Sequence, residues 1–139
     1  MTNRARLPIA VLVVLCLALA ASPLAAQAAK PRGGSWVGKF DRYSVKVTFK
    51  VSASGRVMTK FTAKRAPLFC AFTEVIEPST IFIPKAKISR AGKVNAKYET
   101  DDFENELKGR FTSPTKFKGN LYQAGGGCSG GFDFKARLR

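Results

Sequence analysis

The chain is 139 residues long and carries 24 Lys and Arg against 9 Asp and Glu, which gives a formal net charge of +15. It contains no histidine, so a Ser-His-Asp triad is excluded, and three cysteines alone are too few for a four-ligand zinc site. A cationic excess of this size favours polyanionic partners and does not bear on the fold. We expect no catalytic activity, no cofactor and no bound metal.

The first 28 residues predict a secretory signal peptide. A basic start precedes an apolar run over 7–21, and the small-residue sequence A-Q-A ends at Ala28. The apolar run is shorter than the ~20 residues that a transmembrane helix needs. We therefore expect cleavage after Ala28 and no membrane anchor in the processed chain. Residues 29–34 would form a flexible leader and 35–139 a single domain, located outside the cytoplasm in the cell envelope or the medium.

From Trp36 onward, apolar and polar residues alternate with the period of two that is typical of half-buried strands. Trp36–Phe40 and 44–52 predict the first two strands, and 56–64 predicts the third after a turn. The polar positions of these strands are largely lysine, serine and threonine, so their outer face is basic. The core-facing residues predicted for the second and third strands are Val45, Val47, Phe49, Val51, Val57, Thr59, Phe61 and Ala63.

Two less regular segments, 69–75 and 80–83, predict two further strands, and Ile88 begins or extends another. The acidic segment Glu99–Glu106 holds five of the nine acids and predicts an exposed hairpin tip, because it lacks the ligand order of a calcium loop. No segment after the signal peptide predicts a helix. The remaining core-facing positions are Val94, Ala96, Tyr98, Leu107, Gly109, Phe111, Phe117, Gly119, Leu121, Phe132, Phe134, Ala136 and Leu138.

About eight or nine short strands separated by turn signals predict an all-β domain. Short connections between consecutive strands favour a small antiparallel meander that closes into an up-and-down barrel, with a two-sheet β-sandwich as the alternative. Gly38, Gly109 and Gly119 occupy core-facing positions. Small residues are expected there when a sheet curves tightly, which favours the barrel.

The glycine-rich segment 124–131 contains G-C-S-G-G, which matches the G-x-S-x-G pattern of a serine-hydrolase nucleophile elbow. That elbow needs a histidine base and a helix after the serine. The chain offers neither, because the residues that follow alternate like a strand. A phosphate-binding loop would also need a helix at this point. The segment therefore predicts a tight turn before the last strand.

Removal of the signal peptide would also remove Cys16 and leave Cys70 and Cys128 as a pair. Two cysteines in an exported chain are most simply explained by a disulfide. Closing a loop of this length would stabilise the fold by about 4 kcal/mol in the chain-entropy model. We expect this disulfide to be a main determinant of stability.

Two basic patches are candidate anion-binding sites. The first contains Lys46, Lys50, Arg56, Lys60 and Lys64. The second contains Lys116 and Lys118, to which Lys108, Arg110, Lys135, Arg137 and Arg139 could contribute. Single-strand nucleic-acid platforms place aromatic rings among the cations, whereas here only Tyr122 shares a face with Lys116 and Lys118. We therefore expect no sequence-specific nucleic-acid partner.

Several short motifs are distributed along the mature chain. They are Trp36 with Gly38, a mid-chain Cys70, Gly109-Arg-Phe111, and Cys128-Ser-Gly130 followed by Phe134-Lys-Ala136. In this layout the chain resembles a diffuse group of small exported bacterial all-β proteins with a C-terminal Cys-x-Gly…aromatic-x-Ala strand. The resemblance implies a β-barrel or sandwich with one disulfide. It implies no catalytic residue and no ligand.

Taken together, these features predict an exported, monomeric, non-enzymatic β-domain. Its expected partner is anionic, either an envelope polymer or an acidic protein, and contacts the basic strand faces. Two alternatives stay open at this point. One is a carrier of a small apolar ligand in the barrel interior, and the other is a secreted enzyme inhibitor that presents a loop at 65–69.

Overall fold

The computed structural model describes residues 29–71 and 75–139, so the predicted signal peptide lies outside the described residues. Eight strands and no helix occur in this part of the chain. The strands are β1 (Gly34–Phe40), β2 (Lys46–Val51), β3 (Val57–Cys70), β4 (Val75–Lys87), β5 (Lys93–Glu99), β6 (Glu104–Ser113), β7 (Lys116–Gly125) and β8 (Cys128–Leu138). No helix that is long and apolar enough to cross a membrane is found in the described ranges.

The eight strands form one antiparallel sheet in the order β4-β3-β2-β1-β8-β7-β6-β5. The first strand, β1, pairs with the last, β8, from Trp36↔Leu138 to Phe40↔Phe134. The outermost strands β4 and β5 follow each other in the chain, and the Ile88↔Val94 bridge joins the chain just past the end of β4 to β5. The sheet thus curls into a meander around a closed barrel core, which confirms the predicted barrel and not the sandwich.

Aromatic side chains fill the core of this barrel. Trp36 stacks on Phe49 with ring centroids 5.6 Å apart, and Phe111 packs edge-on against the same tryptophan at 5.1 Å. Such ring pairs add about 0.5–1.5 kcal/mol each beyond the area that they bury. The buried aromatic residues are Trp36, Phe40, Phe49, Phe61, Phe111, Phe117, Phe132 and Phe134.

Two glycines make room for these rings. Gly109 and Gly119 are paired directly across β6 and β7. A Cβ atom at Gly119 would come within 2.7 Å of the Phe117 ring and 2.8 Å of the Phe134 ring. The rings therefore lie directly on the backbone, as the core-facing phase of the glycines predicted, and only glycine fits there.

The predicted alternation of β3 is wrong at its beginning. Met58 is fully buried, whereas Val57 and Thr59, the residues expected in the core, are partly exposed. Lys60 has a φ of 53°, and the pairing of β3 with β2 shifts register at this position. A bulge of this kind inserts an extra residue and reverses the phase of the strand. The predicted inward positions are correct from Phe61 onward.

The two less regular predicted strands also differ from the structure. Phe69 and Cys70 are the last residues of β3, and β4 covers Val75–Lys87, including the segment 80–83. Ile88 forms an isolated bridge instead of starting a strand. β3 is long because its far half pairs with β4 beyond the end of β2.

The segment expected as a leader contacts one end of the barrel. Pro31 is buried, and the Arg32 N–H donates to the Pro114 carbonyl at 3.0 Å. The Trp36 indole N–H donates to the Arg32 carbonyl at 3.4 Å. These contacts set the path of the chain into β1.

The glycine-rich segment is a two-residue hairpin turn. Gly125 pairs with Cys128, and the residues between them, Gly126 and Gly127, have φ of 57° and 77°. Positive φ at both central residues is the requirement of a type I′ turn. Strand β8 follows at once, so Ser129 does not lie at a strand-to-helix elbow.

The turn places Cys128 opposite Cys70, and the two form a disulfide with Cα atoms 4.0 Å apart. At this end of the barrel β3 extends past β2 and pairs directly with β8, through Phe69↔Ser129 and Cys70↔Cys128. The disulfide therefore joins two strands that are separated by β1 and β2 elsewhere in the sheet. It closes the barrel where those two strands are absent.

We predict that Cys128→Ser lowers the free energy of unfolding by about 2–5 kcal/mol, because it opens a long covalent loop. Chemical denaturation under non-reducing conditions measures this difference. Ser129→Ala, one residue away at an exposed position, is the control and should leave stability unchanged. Equal effects of the two substitutions would contradict a special role for the disulfide.

A second prediction concerns the bulge in β3. Lys60→Val places a β-branched residue at positive φ and should lower the free energy of unfolding by about 1–3 kcal/mol. Lys85→Val is the matched control, since Lys85 is exposed in the neighbouring strand β4 and lacks a positive φ. Thermal melts of both variants make the comparison, and equal melting temperatures would argue against the bulge.

Candidate functional site

A row of cations runs across six neighbouring strands on the outside of the barrel. Each member faces the next directly across a pair of strands, and all six side chains are exposed. The opposed pairs are Lys93↔Arg110, Arg110↔Lys118, Lys118↔Lys135, Lys135↔Lys39 and Lys39↔Lys46. We call these six residues the cationic belt.

The belt is electrostatically unfavourable for the isolated protein. Like charges placed directly opposite each other on a sheet destabilise the pairing, and the belt has five such pairs in succession. Among the described side chains, one ion pair involves the belt, between Lys135 and Asp41 at 3.5 Å. A soluble surface is obtained equally well with interspersed charges of both signs. Solubility alone therefore does not account for this alignment.

Four of the six belt residues line a shallow groove on strands β5–β8. The groove has a volume of about 460 Å³, and the backbone of Gly109 and Gly119 forms part of its lining. The belt residues that line it are Lys93, Arg110, Lys118 and Lys135. Lys108 adds a further cation, and Asp41 and Asp133 add two acids. We call it the β5–β8 groove.

A second groove lies at the other end of the belt, on strands β1–β3. Its volume is about 350 Å³, and its cations are Lys46, Lys50, Lys60 and Arg139. The bulge in β3 contributes to this arrangement, since a bulge re-aims the side chain at its extra residue. Trp36, the single tryptophan of the chain, lies at the base of this β1–β3 groove.

The structure brings together three members of the first predicted patch, Lys46, Lys50 and Lys60, in the β1–β3 groove. Lys64 is exposed and lies one residue beyond the Val47↔Ala63 pair, next to Lys46. Arg56 lies apart from both grooves. It occupies the β2–β3 turn, where its carbonyl accepts the Ile88 N–H at 2.8 Å.

The second predicted patch divides between two rows. Lys118 belongs to the belt, whereas Lys116 pairs with Arg137 in the next row. Lys39 and Lys93 were missed, although both are polar residues of alternating segments. Their contribution depends on which residues they face across the sheet, and the alternation within one strand does not carry that information.

Acidic residues are concentrated on one side of the belt. That side includes the β5–β6 hairpin and the β1–β2 turn. The acids with described side chains are Asp41, Glu99, Asp101, Asp102, Glu104, Glu106 and Asp133. On the other side, toward the β2–β3 and β4–β5 turns, the described residues include only cations among the charged side chains. Positive and negative charges are therefore separated along the barrel axis.

Ion pairs occupy two lysines near the acidic hairpin. The Lys97 ammonium donates to Glu104 at 3.1 Å, and this hydrogen bond and charge raise the pKa of Lys97. Lys108 lies 2.7 Å from Glu106 and lowers the pKa of that carboxyl. The Glu106 pair therefore stabilises the fold above the ordinary carboxyl pKa, and this contribution is lost as the pH falls through the lowered value. The stabilisation from the Lys97 pair is fully present below the ordinary lysine pKa and is lost as the pH rises through the raised pKa.

In the described residues no three His, Cys, Asp or Glu are grouped as metal ligands would be.

Exposed aromatic rings lie outside the belt. Tyr122, 40% exposed, is paired with Glu106 and Gly131, nearer the acidic hairpin. Phe82 and Phe69, 42% and 44% exposed, lie on β4 and at the end of β3. The belt therefore offers charge without the stacking surfaces that unpaired bases use.

We predict that Lys118→Gln stabilises the protein, because Lys118 faces a cation on each side. The expected gain in the free energy of unfolding is ~0.2–1 kcal/mol at low ionic strength, and it should shrink at high salt as charges are screened. Lys97→Gln is the matched control and should not stabilise, since Lys97 is ion-paired with Glu104. A loss of stability in Lys118→Gln would contradict the prediction, because it would show that Lys118 is not destabilised by its cationic neighbours.

Comparisons with protein-family models, with curated proteins and with solved structures find no match for this chain. The structure shows a small all-β protein with one disulfide, as the sequence resemblance implied. Membership of that group of exported proteins stays a prediction. The chemistry of the site follows from its own geometry.

Proposed function

We propose that this protein is an exported, non-enzymatic β-domain that binds an anionic partner through the cationic belt. The observation that carries the proposal is the register of six cations on six adjacent strands. Their mutual repulsion is relieved when anionic groups lie between them. Binding would thus be favoured in two ways. The anionic groups attract the belt cations, and they also reduce the repulsion between those cations that destabilises the free protein.

Several features of the structure support this proposal. The two grooves give parts of the belt a local concavity that an anion can enter, with five different belt cations along their linings. The Cys70–Cys128 disulfide is compatible with an oxidising compartment outside the cytoplasm. Envelope polymers and acidic proteins would both be available there.

The two alternatives lose the features that suggested them. A carrier would hold an apolar ligand in the barrel interior, and aromatic rings pack against one another in that region. An inhibitor would present 65–69 as a loop, and this segment belongs to β3, where Ala66 pairs with Ser79 and Leu68 with Glu77.

Binding to polyanions at several salt concentrations tests the proposal. We expect the purified protein to bind labelled polyphosphate and a sulfated polysaccharide, and to lose affinity steeply as the Debye length falls from ~30 Å at 0.01 M to ~3 Å at 1 M salt. Fluorescence anisotropy of the polymer measures binding, and the emission of Trp36 beneath the β1–β3 groove gives a second signal. Uncharged dextran is the control polymer. Binding that does not depend on salt, or no binding to either polyanion, would contradict the proposal.

A further inference from the structure

We infer that the anionic partner is a linear polyanion that lies along the belt, perpendicular to the strands. This inference rests on the proposed function and adds the shape of the partner to it. An envelope polymer and a folded acidic protein differ in this respect, because a linear polymer can follow a narrow line of charge around a curved surface and a compact domain cannot.

The first argument is the dimension of the belt. Neighbouring strands are about 4.8 Å apart, so six strands place their cations along a path of roughly 24 Å at regular intervals. A compact anion such as phosphate reaches two or three of these cations. A chain with a charged group in every unit can pair with all of them at once.

The second argument is curvature. The belt covers six of the eight strands of a closed barrel, from β5 through β8 and β1 to β2. A flat anionic surface, such as a membrane, touches a barrel along one side and leaves much of this arc without contact. A flexible polymer bends around the barrel and keeps contact over the whole arc.

The third argument is the continuity of the path. The β5–β8 groove and the β1–β3 groove lie at the two ends of the belt, and Lys39 connects them between Lys135 and Lys46. Asp41 and Asp133 border the path on the acidic side and would repel a polyanion that strays there. On the other side Lys50, Lys60 and Arg139 extend the attractive surface.

The chemistry of the belt also limits what it recognises. Five of its six members are lysines, which act as compact point charges and do not impose the planar two-point geometry of arginine. The exposed aromatic rings lie elsewhere, so the units of the polymer would not be identified by stacking. The site therefore selects a linear array of anionic groups, and the identity of each group matters less than its spacing.

Two pairs of substitutions with the same change in net charge test this inference. Lys39→Gln/Lys118→Gln removes two belt cations, and Lys87→Gln/Arg90→Gln removes two exposed cations next to the β4–β5 turn, outside both grooves. For polyphosphate chains longer than the belt at low salt, we expect the belt pair to reduce affinity about tenfold or more and to lower the salt slope by about two. The control pair should change affinity less than about threefold, as expected for cations that only contribute to the overall field.

A series of polyphosphate lengths provides the second measurement. Affinity should rise steeply with length until the chain spans the roughly 24 Å of the belt, and then level off. A sulfated polysaccharide of matched contour length and matched charge spacing should bind with similar affinity, whereas a clear preference for phosphate at equal spacing would show that the group itself is recognised and would overturn that part of the inference. Circular dichroism and thermal melts confirm that the variants fold.

The possible failures are distinguishable. If both pairs of substitutions weaken binding equally, or if tripolyphosphate binds as tightly as long chains, the alignment along the belt is wrong while the proposed function stands. If acidic proteins bind the belt and linear polymers do not, the partner class is wrong and anion binding stands. If no polyanion or acidic protein binds, both the inference and the proposed function fail.

Discussion

The packing of aromatic rings against a glycine-lined backbone is the constraint on which the rest of this structure depends. The Phe117 and Phe134 rings lie on Gly119, and Gly119 faces Gly109 across the sheet. A shift of one residue in any of these strands would turn the rings toward water and place lysines in the core. The core therefore fixes the register of the strands, and the register in turn fixes which charged residues face each other on the outside. The cationic belt is a surface feature that is set by the interior.

The sequence was sufficient to predict the all-β class, the barrel, the disulfide and most core residues, because each depends on alternation within a strand or on a count of cysteines. It failed at the start of β3, where the positive φ of Lys60 reverses the phase. No residue type marks that position, since lysine is not a residue that usually adopts positive φ.

The candidate site was predicted only in part for a related reason. Lys46, Lys50, Lys60 and Lys118 were identified as basic strand positions, whereas the belt as a line requires the register between strands that are distant in the chain, such as β1 and β8.

Stability and the proposed function oppose each other on the two faces of the same strands. The inward-facing rings and aliphatic side chains of these strands pack against one another in the core, while the outward-facing side chains place like charges side by side. The closed core and the disulfide supply stability that can offset the repulsion, as is typical of proteins whose functional surfaces are locally unfavourable. The β3–β8 pairing is part of this compensation, because it joins the sheet where β1 and β2 do not reach.

The separation of charge along the barrel has a consequence for how the molecule would meet its partner. With acidic side chains concentrated toward one end and only cations among the described charges of the other, the protein carries a large electric dipole. In the field of a polyanion the molecule experiences a torque as well as an attraction, and it rotates during its approach until the cationic end leads. Once the polymer lies along the belt, the disulfide, the β7–β8 turn and the acidic β5–β6 hairpin project to one side of it. A bound layer of this protein would therefore place its acid-rich ends beside the polymer, and the complex would keep negative charge on one side of the polymer only.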